Sequence, residues 1–557
     1  MDKYTSIITD EKFSNLSLTV TKYPKTLFHW ETLINFLITR TSPINKTIDP
    51  QLYQLITSTY ENMLYNFPFL ENYHIDYALF EYKLSHIKQM NKIFKRALLI
   101  FNNRSLLIWI QYLKMCNDLI SNNKELFSKY ELAENFIGLH YFSGEFWNLY
   151  LEQIKLRCND SNKKYIILLR KLLELPIYNS SKYYALWLQQ IDQINDLKQL
   201  TKFVSKDDLI NKLKIDINFN GRRGPYLIEA KKLLKKFTKE LCMVLQFQSL
   251  ELYSLFESKI QIHYYTSNDH LIDTKEINTW IKYLDFTINL NIESLTHLNF
   301  QRALISLANY DIIWIKYAQW IIEYKEDFNS AKDILLQGLN HSLKKSSILK
   351  ILYSLLVKIN DMNSLQNILN QISESFNNSI ENSDDFAIFW DYIQFNIFLQ
   401  NSLPQSRYSS DQKSSNGEST SYKILLPEIV LNKIRLRLDD NNKNNDSMTI
   451  INAMTQLQTK DNTDIIEKVI FQYLINESKN KQFYQDNNTF WILYCKLIFF
   501  DPSKSYLEKR TKIVEEVWEQ IKPSNKTIKK SLFTGLLNFC EAYLPEDIDF
   551  LHEKFNP

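Results

Sequence analysis

The sequence predicts an all-α protein, an α-solenoid of stacked helical hairpins arranged as two arrays. Three observations carry that prediction. Tryptophan recurs with a tyrosine three residues on, at Trp109/Tyr112, Trp147/Tyr150, Trp280/Tyr283, Trp314/Tyr317 and Trp491/Tyr494. Glycine at 7 and proline at 12 of 557 residues fall far below the usual share of about 7% and 5%, which disfavours folds built on glycine-dependent turns. Apolar residues recur at three- and four-residue steps, broken by short polar turns, with a hairpin period of about 35 residues.

The first helix is expected over 28–37, with Trp30, Leu33 and Leu37 on one stripe. Its partner spans 52–66 and stops at Phe67-Pro68, because proline restricts the residue before it. A third helix is expected over 73–84, with Tyr73, Tyr77, Phe80 and Leu84 on one face. Helices over 87–101 and 106–116 follow, the second carrying Trp109/Tyr112. The segment Phe94-Lys95-Arg96-Ala97-Leu98 before Trp109 returns as Phe300-Gln301-Arg302-Ala303-Leu304 before Trp314. The small Ala97 and Ala303 would admit close helix approach, with the tryptophan filling the groove opposite. Neighbouring hairpins then cover stripes that one hairpin leaves bare. Order is expected in the tail over 490–500, 506–520 and 527–543. Trp30 and the five Trp/Tyr pairs are accordingly the expected repeat core.

Three regions are expected: an amino-terminal array over 1–201, a basic joint over 202–239, and a carboxy-terminal array over 240–557. The joint contains Gly221, Gly224 and Pro225. The second array includes a disordered loop at 401–421, nearly free of bulky apolar residues, and a partner-binding end. Cys116, Cys158, Cys242, Cys495 and Cys540 are scattered, which supports neither a disulfide framework nor a zinc site. The amino terminus is polar from its second residue, so no secretory signal is expected. No segment reaches about 18 uninterrupted apolar residues, so no membrane span is expected.

Chemistry has little support. There is no H-E-x-x-H, no phosphate loop and no nucleophile elbow. His140, His263 and His297 sit among apolar neighbours in sequence. No enzyme and no cofactor is expected. The basic segment 221–240 sets Arg222, Arg223, Lys231, Lys232, Lys235, Lys236 and Lys239 against only Glu229 and Glu240. Lysine pairs four apart suit one helix face, with Leu233, Leu234 and Phe237 turned inward. Such a face is a solvated surface first; an acidic protein segment or an RNA backbone is the functional alternative. At the tail, Trp518, Phe539 and Tyr543 are candidate dimer-interface residues, because a last repeat has no successor to cover it. A self-capped end is the alternative.

The aromatic pairs, the F-x-R-A-L segments and the Pro68-type stop resemble half-a-TPR (HAT) repeats, the TPR-like hairpins of RNA-processing proteins. Longer blocks such as FPFLENYHIDYALFEYKL, GLHYFSGEFWNLYLEQI and WIKYLDFTINL resemble the fungal members of this family that belong to the U1 small nuclear ribonucleoprotein. The resemblance runs through nearly the whole chain and implies a nuclear, architectural subunit acting in pre-mRNA splicing. It further implies a heterodimer with a HAT-repeat paralogue of the processing-factor-thirty-nine type. Contact with the zinc-bearing and other protein subunits of the particle would then bridge its core to auxiliary subunits during 5′ splice site recognition, and direct RNA contact would be minor. A homodimeric HAT scaffold of the cleavage and polyadenylation machinery, or a TPR-like chaperone cofactor, shares the periodicity but not those blocks.

Overall fold

The computed structural model describes residues 3–157, 161–216, 223–267, 270–375, 444–456, 462–521 and 526–555, with isolated positions between 388 and 439. Among them there are helices and turns and no strand. The expected loop at 401–421 lies outside the described residues. Packing divides the chain into two compact units, Met1–Glu326 with His341–Leu343, and Asp327–Asn340 with Lys344–Pro557.

In the first unit, two short helices, α1 (Lys3–Ile8) and α2 (Glu11–Lys22), precede the first expected one, and α2 packs on α3 (Leu27–Thr41). There follow α4 (Pro50–Asn66), α5 (Glu71–Lys83), α6 (Ile87–Ile100), α7 (Leu106–Leu119), α8 (Asn123–Ile137), α9 (Gly144–Arg157), α10 (Ser161–Leu172) and α11 (Ser180–Asp192). Short polar side chains start several of them. Asp49 accepts from the Gln51 amide and Ser105 from the Ile108 amide, each supplying an acceptor for an otherwise orphaned N–H. Helix ends explain how the chain manages with so little glycine. Asn102, Asn103, Asn291 and Asn360 take the left-handed conformation where helices stop, as do Ser85 and Glu326. Asparagine tolerates positive φ better than most residues.

The recurring tryptophan closes these turns. Trp30, Trp109 and Trp314 each donate Nε1–H to the carbonyl six residues earlier, on Pro24, Asn103 and Ala308, at 2.9, 2.7 and 2.8 Å. Those carbonyls lie in the turn before each tryptophan's helix. In α5 a histidine takes the same place: His74 Nε2 lies 3.0 Å from the Pro68 carbonyl, and Tyr77 follows three residues on. Trp147 reaches further back, to Gly138 O nine residues earlier, and also meets Ser143 Oγ four residues earlier. Each tyrosine ring then stacks on or leans against an aromatic ring of a preceding segment: Tyr77 on Tyr60 at 5.1 Å, Tyr112 on Phe94 at 5.2 Å, Tyr150 on Tyr130 at 4.8 Å.

The segment 202–239 is packed within the first unit. It holds a short helix, α12 (Lys206–Asn211), and the first half of a long one, α13 (Arg223–Leu255), which packs on α11 within the first unit. Then come α14 (Thr274–Asn289), α15 (Glu293–Leu307) and α16 (Asp311–Lys325), and α15 packs back on α8. Phe69 meets both Tyr265 and Trp314, with ring centroids 6.3 and 6.2 Å apart. The unit thus folds back on itself, so its compact boundary falls after α16 and not within 202–239.

The second unit contains α17 (Phe328–His341) up to Asn340, α18 (Ser346–Ile359) and α19 (Met362–Ser375), then helices at Asn444–Gln456, Asn488–Phe499 and Lys526–Tyr543 with shorter segments between. Trp491 repeats the clamp, donating to Gln485 O at 2.8 Å, and Tyr494 stacks on Phe471 at 5.0 Å. Gly535 matters for close approach: a Cβ there would run into the Asn488 side chain of the neighbouring helix.

Trp314→Phe and Trp280→Phe remove the same volume, but only Trp314 Nε1 has an acceptor, Trp280 Nε1 being without one. Trp314→Phe should therefore cost about 1 kcal/mol more than Trp280→Phe, read as the difference in urea-unfolding free energy. Equal losses would show that the clamp adds nothing to ring packing. Trp314→Ala should cost about 3–5 kcal/mol.

Candidate protein interaction surfaces

The Trp and Tyr residues of the repeat pattern are not a surface. Trp30, Trp109, Tyr112, Trp147, Tyr150, Trp280, Tyr283, Trp314, Tyr317, Trp491 and Tyr494 are all buried, the most accessible being Tyr494 at 8%. The tyrosine hydroxyls find partners on adjacent segments: Tyr112 takes a hydrogen bond from Lys129, Tyr317 pairs with His297 Nδ1, and Tyr494 donates to Glu467.

The first unit also buries an ion pair that the aromatic periodicity did not reveal. Arg302 of α15 grips Glu257 through two parallel contacts of 2.9 Å, and both side chains are nearly inaccessible. Tyr283 donates to the same carboxylate at 2.9 Å, and the guanidinium lies over the Trp280, Tyr283 and Phe142 rings. Burial alone would neutralise Glu257; the Arg302 charge outweighs it and holds the carboxyl below its ordinary range. A weaker version stands in the second hairpin, where Arg96 is 3.8 Å from Glu61 and Tyr77 donates to that carboxylate at 3.4 Å. The signal was present in the sequence: Tyr77 to Arg96 and Tyr283 to Arg302 are both 19 residues.

Beside Arg302 a cavity of about 320 Å³ is lined by Glu71, Arg104, His140, Phe142, His263 and Ile305 among others. Burial pushes the Glu71 carboxyl up to about 7, and the Ser105 hydroxyl offsets this only in part. Burial keeps His140 well below its ordinary value and brings His74 and His297 down to about 4, the latter also by the Arg104 and Lys325 charges. Their surroundings are less apolar than the linear sequence suggests, since His297 lies 3.7 Å from Glu293. No group of three or more metal-ligating side chains gathers among the described residues.

The candidate contact residues divide sharply. Lys231 donates to the Asp192 carbonyl at 2.9 Å and Lys235 pairs with the Asp192 carboxylate at 2.6 Å, so both fasten α13 to the end of α11. Lys232, Lys236 and Lys239 are exposed. Arg222 lies outside the described residues and Arg223 opens α13. Leu234 is buried as expected, while Leu233 faces out at 38%. At the tail, Trp518 and Phe539 are buried in this chain, against Phe533 and against Phe499 with Tyr543. Only Tyr543 of the three is part-exposed. Packing has turned two of these rings inward, and Phe500, Tyr506, Leu507 and Phe550 are exposed apolar residues of the same tail.

Stacked helical hairpins with a buried Trp/Tyr code define a HAT-repeat scaffold. Residues 252–389 match the PRP39 C-terminal HAT repeat, and residues 14–189 match the PRP39 N-terminal HAT repeat. The chain is 53% identical over 555 residues to the U1 small nuclear ribonucleoprotein component PRP42 of Saccharomyces cerevisiae, covering 100% of this chain and 99% of that protein. It is 23% identical over 333 residues to pre-mRNA-processing factor 39 of Schizosaccharomyces pombe, covering 57% of this chain and 52% of that protein. The chain belongs to the PRP39/PRP42 family of HAT-repeat proteins.

Breaking the buried pair on one side strands a charge, so Arg302→Met or Glu257→Leu should each cost about 3–5 kcal/mol. The double variant should cost clearly less than the sum, as a double-mutant cycle in urea would read. Additive losses would mean that the two side chains do not act as a pair.

The histidines give a pH signature. Their folded pKa values lie below the ordinary 6.5, so their contribution is complete above pH 6.5 and is lost as pH falls toward 4. The slope is at most about 1.4 kcal/mol per pH unit for each histidine. Glu71 has the opposite sign, since its folded pKa is raised: its contribution is complete below 4.5 and lost as pH rises through about 7. His263 and His341 are lowered by burial as well, and Asp76 is raised by it, so with five histidines against two carboxyls the unfolding free energy should fall from pH 7 to pH 5. Glu71→Gln should stabilise at pH 8 and do nothing at pH 4.5, as urea titrations at the two pH values would read.

Proposed function

We propose that this chain is a non-catalytic, nuclear structural subunit of a U1-type small nuclear ribonucleoprotein acting in pre-mRNA splicing. The single observation that carries the proposal is the 53% identity to the yeast U1 component along essentially the whole of both chains. In this reading the chain pairs with a HAT-repeat paralogue of the factor-39 type through its carboxy-terminal repeats. The amino-terminal repeats contact core protein subunits, including the zinc-bearing one, and so bridge the core to auxiliary subunits during 5′ splice site recognition. Direct RNA contact is secondary. The two matched repeat regions, separated by 190–251, support a reading as two arrays joined through α13. Exposed Phe500, whose ring lies 5.5 Å from that of the part-exposed Tyr543, and exposed Tyr506 and Leu507 support a partner-binding tail. Obligate interfaces bury large, apolar areas.

The test is affinity purification of the full chain from its own cells. U1 RNA, core ribonucleoproteins and one factor-39-type paralogue at one-to-one stoichiometry are expected. Recovery of a homodimer with cleavage and polyadenylation factors would overturn the reading. Deletion from residue 485 onward should abolish pairing with the paralogue; a truncated chain that still co-purifies one-to-one would remove the tail from the interface.

A further inference from the structure

The helix α13 shows two different sides. Ala230, Leu234, Thr238, Cys242 and Ser249 are buried. Ser249 is bonded from both directions, its hydroxyl donating to Ile177 O at 3.1 Å and its carbonyl accepting from the Tyr141 hydroxyl at 3.1 Å. With Lys231 and Lys235 held on Asp192, this side is fastened along most of its length. The opposite side carries Lys232, Lys236, Lys239, Met243, Phe247 and Leu250. Their steps of four, three, four, four and three residues keep all six within about 80° of arc at 3.6 residues per turn. The stripe is about 27 Å long. Its first half is cationic. Its second half exposes Met243 at 59%, Phe247 at 68% and Leu250 at 66%.

We propose that this outward stripe seats one helix of a partner protein, a helix with apolar residues at three- and four-residue spacing in one half and acidic residues in the other. Met243, Phe247 and Leu250 are left out together on the side of the helix opposite Ala230, Leu234, Thr238, Cys242 and Ser249, and with Leu241 and Val244 also exposed on this helix they form an interaction patch and not scattered surface. The spacing is that of a helix–helix seam. The lysines set the sign of the partner, because charge complementarity fixes register and excludes like-charged helices. A second copy of this chain fits poorly: laid parallel it opposes lysine to lysine, and laid antiparallel it sets lysines against Met243, Phe247 and Leu250. RNA would use the lysines but give Met243 and Leu250 nothing. Glu229 and Glu240 flank the stripe and leave the lysines in the majority.

The inference rests on the scaffold reading proposed above. Its test uses the full chain and three labelled probes in fluorescence anisotropy at low salt: a 20-residue helical peptide with leucines in one half and glutamates in the other, its isomer with lysines for the glutamates, and a single-stranded oligouridine. The glutamate peptide should bind at least tenfold more tightly than the lysine isomer. Lys232→Glu with Lys236→Glu and Lys239→Glu should reverse that order, and Phe247→Ser with Leu250→Ser should weaken the glutamate peptide at least tenfold. Equal binding of the two peptides, binding of neither, or oligouridine binding tighter than the glutamate peptide and indifferent to the Phe247 and Leu250 changes would overturn it. Circular dichroism of each variant separates loss of binding from loss of fold. Failure of the scaffold reading shows separately, as absence of particle proteins from the purified full chain.

Discussion

A helical hairpin of about 35 residues cannot cover its own apolar stripes, and each hairpin here must be roofed by the next. That constraint makes the turn between hairpins the critical place, because each helix end leaves carbonyls without a partner. The tryptophan meets both demands. Its ring fills the space between helices, and its indole N–H, which also needs an acceptor once buried, takes the carbonyl six residues upstream. His74 does the same with a smaller ring. The tyrosine one turn later stacks on an aromatic from a preceding segment, so packing and hydrogen bonding set the same hairpin angle.

Where the clamp is missing, another device stands in. Trp280 has no acceptor for its indole N–H, but Arg302 lies 5.5 Å over its ring and reaches Glu257 beyond it. A buried ion pair is weak evidence for net stability, since desolvation opposes its attraction. Its stronger effect is on geometry: a two-pronged contact with a carboxylate admits one register between the Glu257 turn and α15. The same part of the first unit brings α15 onto α8 and Phe69 onto Trp314, so register there decides how the unit closes on itself.

A frame that uses its aromatics and its buried charges to hold itself together has to recognise partners with what remains. On α13 that remainder is legible in phase. Lys231 and Lys235 point to Asp192, while Lys232 and Lys236, each one residue further round, and Lys239, one turn on from Lys235, share the outward side with Phe247. At the tail the same logic turned Trp518 and Phe539 inward and left Phe500, Tyr506 and Leu507 out. Large aromatics near a terminus do not themselves mark an interface, because a last repeat can use them as its own cap.

The linear chain by itself determined the all-α class, the hairpin period and the Trp/Tyr code, because helix periodicity and the demand to bury wide rings act over a few residues. It also carried the family, through long blocks of identity. It did not reveal His74 as a stand-in for tryptophan, although His74 and Tyr77 keep the three-residue spacing, since histidine does not announce burial. Nor did it reveal Glu257 as the partner of Arg302, 45 residues away, or place the compact boundary after α16. Tertiary structure alone decided those points, and it chose which lysines of α13 are fasteners and which are free to meet a partner. The physical reason is common to all of them. Local sequence sets the repeat of a helix, but its rotation about its own axis is set only by the neighbour it packs against.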